Sequence, residues 1–263
     1  MWPGAATIGL YLAHANGFCK EVWRPVVDHL RGSRIDADVV AWDALAHGES
    51  EAGSPPYDWW DLGEDVLSVV DAFEHTSRIG IGHSMGAAAL AMAEVNRPGT
   101  FDGLVLIEPI TFPPPFGRFD NPLVVGALRR RRAFPSRESA LAHFAEKEVF
   151  KRWDDRALQS YASAGLHLDE GEWVLRCTPE NEADFFRGGA AHGAYERLSE
   201  IESPVLLLAG EVSTSHDRSL IEDLDSRLAH SSALIVPEAG HFLPMEKPEH
   251  VSDLILGFLD EIG

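Results

Sequence analysis

Short apolar runs recur along the chain and alternate with stretches in which apolar residues have helical spacing. The runs predict six strands, at residues 6–13, 36–42, 77–82, 103–108, 204–209 and 233–236. Strands that alternate with helices are typical of a mainly parallel sheet covered by helices on both faces. Because crossovers in such sheets are right-handed, the pattern predicts an α/β fold with little freedom in its topology.

The longest interval between two predicted strands is residues 109–203, far more than a connecting helix requires. We therefore expect a helical cap inserted into a core made of residues 1–108 and 204–263. Two stretches of the insertion, 136–150 and 154–166, have apolar residues at helical spacing, and both open on a residue suited to an N-cap.

A glycine-flanked serine follows the third predicted strand. The sequence Gly82-His83-Ser84-Met85-Gly86 fits the pattern G-x-S-x-G and precedes an alanine-rich helix. Neighbours without a Cβ atom let strand and helix approach, and the tight turn exposes the serine hydroxyl. We therefore interpret Ser84 as a nucleophile, and not as part of a turn that only joins two elements.

A nucleophilic serine needs a base, and a Gly-His pair near the C-terminus, at His241, is followed by a proline-rich helix start. Together with the glycine-flanked turn around Ser84, which has the form of a nucleophile elbow, this arrangement resembles the α/β-hydrolase fold family. In that family the catalytic histidine lies in such a loop after the last strand. The resemblance implies the α/β-hydrolase fold with His241 as the base, and it implies no metal and no organic cofactor.

The third catalytic group departs from the commonest family pattern. Most members carry an aspartate after the penultimate strand, where this chain has Ser213. A subset of the family carries the acid one strand earlier, and Glu108 stands directly after the fourth apolar run. Parallel strand ends meet at one edge of a sheet, so this carboxylate can reach the same histidine. We predict Glu108 as the acid, with Asp217 and Glu211 as alternatives.

The loop after the first predicted strand, residues 14–18, resembles the family's His-Gly loop. The resemblance implies an oxyanion hole in which the backbone N–H groups of Phe18 and Met85 bind the oxygen that becomes negative. The N–H of Asn16 or of Gly17 remains an alternative to Phe18, because the sequence does not fix the register of this loop.

Composition limits the compartment and the partners. The 263 residues, 45% of them hydrophobic, are enough for one large core. They contain no apolar run of about 18 residues, which argues against a membrane span. The N-terminus lacks the basic start of a signal peptide, and Cys19 and Cys177 are too few for a disulfide framework, so we expect a cytoplasmic protein. The net charge of −20 would repel nucleic acids and anionic membranes.

The predicted insertion differs from the core in charge. Its net charge is −2, against −18 for the rest of the chain. Four consecutive arginines, 129–132, dominate its positive charge, and we interpret them as a solvated helix end or loop in preference to an anion site. Its many aromatic residues are expected to pack on the core or to line an apolar acyl or aryl pocket.

These features predict a serine hydrolase that cleaves a carboxylic ester or a related small-molecule acyl substrate through an acyl-enzyme. Lactonase, thioesterase and C–C bond hydrolase activities share the same triad and stay open, as does a slow-turnover receptor that keeps the fold. Only thirteen residues precede His14, so the resemblance also implies a shortened N-terminal hairpin.

Overall fold

A computed structural model of the chain describes residues 8–33 and 35–263. The strands are β1 (Ile8–Ala13), β2 (Asp38–Trp42), β3 (Ser77–His83), β4 (Gly103–Ile107), β5 (Ala133–Phe134), β6 (Leu166–Asp169), β7 (Glu172–Leu175), β8 (Val205–Gly210) and β9 (Ser231–Val236). Six of them form the main sheet in the order β2-β1-β3-β4-β8-β9, and every neighbouring pair in it is parallel.

The sheet confirms the predicted fold class and the six predicted strands. Their ends differ from the expected positions by a residue or two, as at β9, which begins at Ser231 and not at residue 233. Residues 6 and 7 of the first predicted strand, and the expected shortening of the N-terminal hairpin, fall outside the described part of the chain.

The helices are α1 (Arg24–Gly32), α2 (Trp59–Asp71), α3 (Met85–Asn96), α4 (Pro122–Leu128), α5 (Arg137–Ala145), α6 (Asp155–Ala164), α7 (Pro179–Gly188), α8 (Arg218–Arg227), α9 (Leu243–Glu246) and α10 (Pro248–Ile262). In the ranges that the structure describes, none of them is both long and apolar enough to cross a membrane.

Alternation along β1 shows how the sheet separates two cores. Leu10 and Leu12 belong to the core on the side of α1 and α10, whereas Tyr11 and Ala13 belong to the core on the side of α2 and α3. All four residues are buried, because a parallel strand covered by helices on both faces has no solvent side. Full burial of one leucine stabilises the fold by roughly 1.5–3 kcal/mol.

The helix that follows the elbow is buried almost along its whole length. Residues 85–95 of α3 are all buried, and six of these eleven residues are alanine or glycine, so the helix axis can lie close to the sheet. The position of its first turn is therefore fixed by packing, and with it the position of Ser84, its N-cap residue.

The long interval between β4 and β8 contains α4 to α7, and α5 and α6 form within the two stretches predicted to be helical. The insertion also contains an element that the sequence did not predict, a small antiparallel sheet of β5, β7 and β6. Its hairpin turns at Glu170 and Gly171, both with positive φ, and a strand pair of four residues each is too short to give a clear alternating pattern.

Candidate active site

Ser84 occupies a strained turn between β3 and α3. Its φ of 57° and ψ of −113° lie outside the favoured regions for a residue with a Cβ atom. The backbone is held there by the Ser84 N–H, which donates to the carbonyl of Ile107 at 2.8 Å. A Cβ atom on Gly86 would lie 2.3 Å from the carbonyl oxygen of Ala13, so only glycine permits this approach of α3 to β1. The turn aims the hydroxyl at the carboxyl edge of the sheet.

His241 lies in the loop between β9 and α9, and its Nε2 atom is 3.1 Å from Oγ of Ser84. The loop is fixed on two sides. The N–H of Gly240 donates to Glu246 at 2.8 Å, and the carbonyl of His241 accepts from Nε2 of His83 at 2.8 Å. Because the carbonyl can only accept, His83 carries its proton on Nε2, and burial lowers the pKa of its ring to about 3.

Glu108 is the first residue after β4, and its side chain is completely buried. Its Oε2 atom lies 2.7 Å from Nδ1 of His241, within the distance expected for the acid of a triad. The N–H of Gly210 donates to Oε1 at 2.9 Å, and the hydroxyl of Ser213 donates to Oε2 at 2.7 Å. The carboxylate is thus bound by donors from the strand end and loop of β8.

The protonation of this site follows from which groups can accept. Burial alone would raise the pKa of Glu108, but hydrogen bonds from His216 and His241 outweigh it and hold that pKa well below its usual range. An ionised carboxylate accepts only, so Nδ1 of His241 carries a proton and its Nε2 is free to accept from Ser84. This is the tautomer that a general base requires.

The two alternative acids lie elsewhere. Asp217 is the N-cap of α8, where its Oδ1 atom accepts from the N–H of Leu220 at 2.8 Å. Glu211 accepts from the N–H of Glu238 at 3.0 Å. Across the residues that the structure describes, neither carboxylate hydrogen-bonds His241. The structure therefore brings Ser84 and His241 together with Glu108 and not with these alternatives.

The expected oxyanion donor Phe18 needs correction. Its N–H points back into its own loop and donates to the carbonyl of Ala15 at 3.3 Å. The N–H of Gly17 is also engaged, since it donates to Nε2 of His47 at 2.9 Å. Burial lowers the pKa of His47 to about 3, so this ring stays neutral and keeps the lone pair that accepts. Two of the three candidate donors are thus occupied.

The third candidate donor is Asn16. Within residues 8–33 and 35–263, its backbone N–H has no acceptor, while its side-chain amide donates to the carbonyl of Glu182 at 3.0 Å. The N–H of Met85 belongs to the first turn of α3, whose amides have no partner within the helix. Of the three candidate donors in this loop, only the N–H of Asn16 is therefore free to act with that of Met85, and Asn16 is one of the alternatives that the sequence left open.

The Phe18 side chain contributes to an apolar wall instead. Its ring centroid lies 5.1 Å from that of Trp153, 5.2 Å from Tyr161 and 5.7 Å from Phe242. The last of these rings is adjacent to His241, with centroids 5.2 Å apart. Aromatic residues of the insertion and of the core thus meet beside the candidate base.

The insertion also contacts the oxyanion loop through polar groups. The hydroxyl of Tyr161 donates to the carbonyl of Gly17 at 3.1 Å and accepts from Nη2 of Arg130 at 2.5 Å. The same guanidinium binds the carboxylate of Glu182, and both side chains are largely buried. The expected solvated arginine stretch is therefore wrong at Arg130, which an acidic partner on α7 holds inside the protein.

One residue of the site was not singled out by the sequence. His216, in the loop between β8 and α8, has a fully buried side chain whose Nδ1 atom lies 2.9 Å from Oε2 of Glu108. Its Nε2 atom lies 2.9 Å from the carbonyl of Pro109. No motif marks this histidine, and only its loop, which follows the same strand as Ser213, could have suggested it.

The chain belongs to the alpha/beta hydrolase family, whose profile matches residues 10–254. The protein is therefore a hydrolase by its family, and its parallel sheet and the turn at Ser84 are consistent with this class.

Individual similar proteins span most of the chain at low identity. The abhydrolase domain-containing protein AKT2 of Alternaria alternata is 27% identical over 219 residues, which cover 70% of this chain and 83% of the relative. The (E)-2-((N-methylformamido)methylene)succinate hydrolase of Acinetobacter baylyi is 21% identical over 260 residues, 95% of this chain and 90% of the relative. The structure of the peroxisomal alpha-beta-hydrolase Lpx1 of Saccharomyces cerevisiae matches with a TM-score of 0.85 at 18% identity, over 98% of this chain and 77% of that one.

Proposed function

We propose that the protein is a serine hydrolase that cleaves a carboxylic ester or a related acyl substrate through a Ser84-His241-Glu108 triad. The observation that carries the proposal is one continuous path of hydrogen bonds. Oγ of Ser84 lies 3.1 Å from Nε2 of His241, and Nδ1 of the same ring lies 2.7 Å from Oε2 of Glu108. Both distances are those of a nucleophile and its oriented base.

In the first half-reaction, Oγ of Ser84 attacks the substrate carbonyl while its proton passes to Nε2 of His241. Glu108 stabilises the imidazolium that forms. The carbonyl oxygen becomes negative and is bound by the N–H groups of Asn16 and Met85, a pair in which one donor is worth roughly 3 kcal/mol of barrier. The imidazolium then gives its proton to the leaving group, which departs and leaves an acyl-enzyme.

In the second half-reaction, water attacks the acyl carbon and loses a proton to Nε2 of His241. The tetrahedral intermediate collapses, the ester bond to Ser84 breaks, and the proton returns to the serine oxygen. Each proton that enters the ring leaves it again, so the enzyme ends in its starting state.

The aromatic wall beside the triad favours an apolar acyl or aryl group. The rings of Phe18, Trp153 and Phe242 present no charge to a substrate, and the first two are mostly buried. Both cysteines, Cys19 and Cys177, are free buried thiols, which fits the reducing cytoplasm that we propose as the compartment.

Covalent labelling tests the nucleophile. A fluorophosphonate probe should modify Ser84 of the folded protein, and mass spectrometry of the digested adduct should locate the label. The Ser84→Ala variant should give no label, while Ser68→Ala, at an exposed serine of α2, should label like the wild type. A label on another residue, or none with His241 intact, would show that the proposed mechanism is wrong.

A substrate panel then separates the related activities. It contains p-nitrophenyl esters of rising chain length, an aryl lactone, an acyl thioester and an amidomethylene succinate of the kind named for the Acinetobacter relative. Multiple turnovers that vanish in Ser84→Ala support the enzyme, and the preferred member assigns the class. A single stoichiometric burst with no turnover would instead support a slow, receptor-like protein.

A further inference from the structure

Two histidines of this site, His216 and His241, lie within hydrogen-bond distance of the same carboxylate oxygen of Glu108. Nδ1 of His241 lies 2.7 Å and Nδ1 of His216 lies 2.9 Å from Oε2 of Glu108. The triad needs only the first of these rings. The second is a fully buried titratable group that the proposed reaction does not use.

A fourth polar atom completes the group. Oγ of Ser215 lies 3.0 Å from Nδ1 of His216, 3.1 Å from Nδ1 of His241 and 3.2 Å from Oε2 of Glu108. The ligand atoms of Glu108, His216 and His241, one from each residue, all lie within 4.8 Å of one another. For metal–ligand bonds of 2.0–2.1 Å, neighbouring donors of a tetrahedral zinc site are about 3.3 Å apart. Five of the six donor separations are between 2.7 and 3.2 Å, so these donors would have to move apart slightly to bind the metal.

The remaining contact of His216 is the one that a metal ligand of this type makes. Metal-binding histidines usually donate their other ring N–H to a carbonyl or carboxylate, which fixes the tautomer. Nε2 of His216 lies 2.9 Å from the carbonyl of Pro109, which can only accept, so Nε2 carries a proton. With Nδ1 protonated as well, the ring donates to Oε2 of Glu108, as in the site described above. A metal ion that displaces this proton would find the Nδ1 lone pair already facing the carboxylate at 2.9 Å.

We propose that Glu108, His216 and His241, with Ser215, form a site for a borderline-soft divalent cation such as Zn²⁺, and that occupation of the site inhibits the enzyme. The ligand set of two imidazoles and one carboxylate suits Zn²⁺ and Co²⁺ far better than Mg²⁺ or Ca²⁺, which prefer oxygen ligands. Access is from the side of His241, whose side chain is 22% exposed, whereas Glu108 and His216 are closed to solvent.

Inhibition follows from the tautomer of His241. A metal bound to Nδ1 displaces the proton that this atom donates to Glu108, and Nε2 takes up a proton, so the neutral ring changes tautomer with no net proton gain. Nε2–H now points at Oγ of Ser84 and cannot accept its proton. The nucleophile is therefore left without a base while every residue of the triad is still present.

Absorption of bound Co²⁺ tests the site without using catalysis. The chelator-treated full-length protein is titrated with Co²⁺, and four-coordinate binding should produce visible d–d bands. These bands should be absent in His216→Phe, which keeps an aromatic ring beside Phe112 but has no nitrogen. They should persist in His230→Asn, which changes an exposed histidine. Bands that are unchanged in His216→Phe, or absent from the wild type, would refute the site and leave a proton alone between the two residues.

Hydrolysis of a p-nitrophenyl ester tests the inhibition, which rests on the proposed function. Zn²⁺ should inhibit the wild type and His230→Asn equally, and Mg²⁺ should not inhibit either. In His216→Phe the half-inhibiting concentration of Zn²⁺ should rise at least about tenfold, since even an outer-shell partner of a metal ligand is worth roughly 10–100-fold in affinity. Equal inhibition of wild type and His216→Phe would overturn the proposal.

Two further measurements keep these outcomes separable. If circular dichroism shows that His216→Phe does not fold, Ser215→Ala replaces it, with weaker Co²⁺ bands and a smaller rise expected because one donor of the four is lost. Unchanged bands in that variant would count against the site. If the protein hydrolyses no ester, the proposed function fails, while the Co²⁺ spectra of wild type and variant still decide whether the metal binds here.

Discussion

The hydroxyl of Ser213 donates a 2.7 Å hydrogen bond to Oε2 of Glu108. Ser213 stands where most α/β hydrolases that this chain resembles carry their acid, so the loop after β8 still serves the triad. It now binds the carboxylate that β4 supplies. With the acid on β4, the position after β8 is thus filled by a residue that hydrogen-bonds the acid.

Replacement of Glu108 by glutamine tests the acid. The neutral amide cannot stabilise the imidazolium and favours the wrong tautomer of His241, so kcat should fall by up to about 10⁴-fold. Asp217→Asn is the matched control, because asparagine caps α8 as well as aspartate does and should leave kcat unchanged. Steady-state ester hydrolysis measures both. A large loss in Asp217→Asn with little loss in Glu108→Gln would reverse the assignment.

The pKa of Glu108 also predicts how stability depends on pH. The folded protein holds this pKa below the ordinary value of 4.5, so the unfolded chain takes up the proton first as the pH falls. The contribution of the carboxylate to the free energy of unfolding is therefore complete above 4.5 and is lost progressively below it. Urea unfolding of wild type and Glu108→Gln at several pH values should show a steeper acid loss in the wild type. Parallel curves would contradict the depressed pKa.

The oxyanion loop should be sensitive to a single methyl group. Gly17 has a φ of 82°, and a Cβ atom there would lie 2.7 Å from the carboxylate of Glu182. Gly17→Ala should shift the adjacent N–H of Asn16 and lower kcat by roughly 10²–10³-fold, the cost of one lost donor. Gly99→Ala has a similar φ of 78° with open space around it, so it shares the backbone strain without touching the site. Equal kcat in the two variants would argue against Asn16 as a donor.

The buried ion pair of the insertion should matter for stability. Arg130→Met leaves the carboxylate of Glu182 without its partner, and loss of one member of a buried pair typically costs about 3–5 kcal/mol. Arg129→Met, at the exposed neighbouring position, should change the free energy of unfolding by no more than about 0.5 kcal/mol. Denaturant unfolding followed by circular dichroism compares the two. Similar values for both variants would mean that the pair contributes little.

The sequence predicted those parts of the site that local patterns determine. Ser84 is recognisable because strand, glycine-flanked turn and helix lie within a few consecutive residues, and Glu108 because it interrupts the end of an apolar run. The choice of Asn16 over its neighbours depends on two hydrogen bonds, from Phe18 to the carbonyl of Ala15 and from Gly17 to His47, thirty residues away in the chain. The first depends on the exact loop conformation and the second on a long-range contact, and neither leaves a periodic signal in the sequence.

His216 and the burial of Arg130 were missed for the same reason. The sequence around each residue is also compatible with a position on the surface. The fold places His216 beside Glu108 and Arg130 beside Glu182, and these contacts are not visible in the sequence. The small sheet of β5, β6 and β7 was missed because its strands have only two to four residues.

The position of His241 after β9 has a consequence for how activity fails. β9 is an edge strand of the main sheet, next to β8, and Leu234 on it is partly open to solvent, while Ser84 follows the central strand β3. Edge elements undergo local unfolding at a lower free energy than the centre of a domain. We expect mild denaturant to separate His241 from Ser84, and so to abolish hydrolysis, before the fluorescence of the buried tryptophans changes. Dilution of the denaturant should restore activity. Loss of hydrolysis would then report local unfolding at the β9 edge of the sheet, and not unfolding of the whole protein.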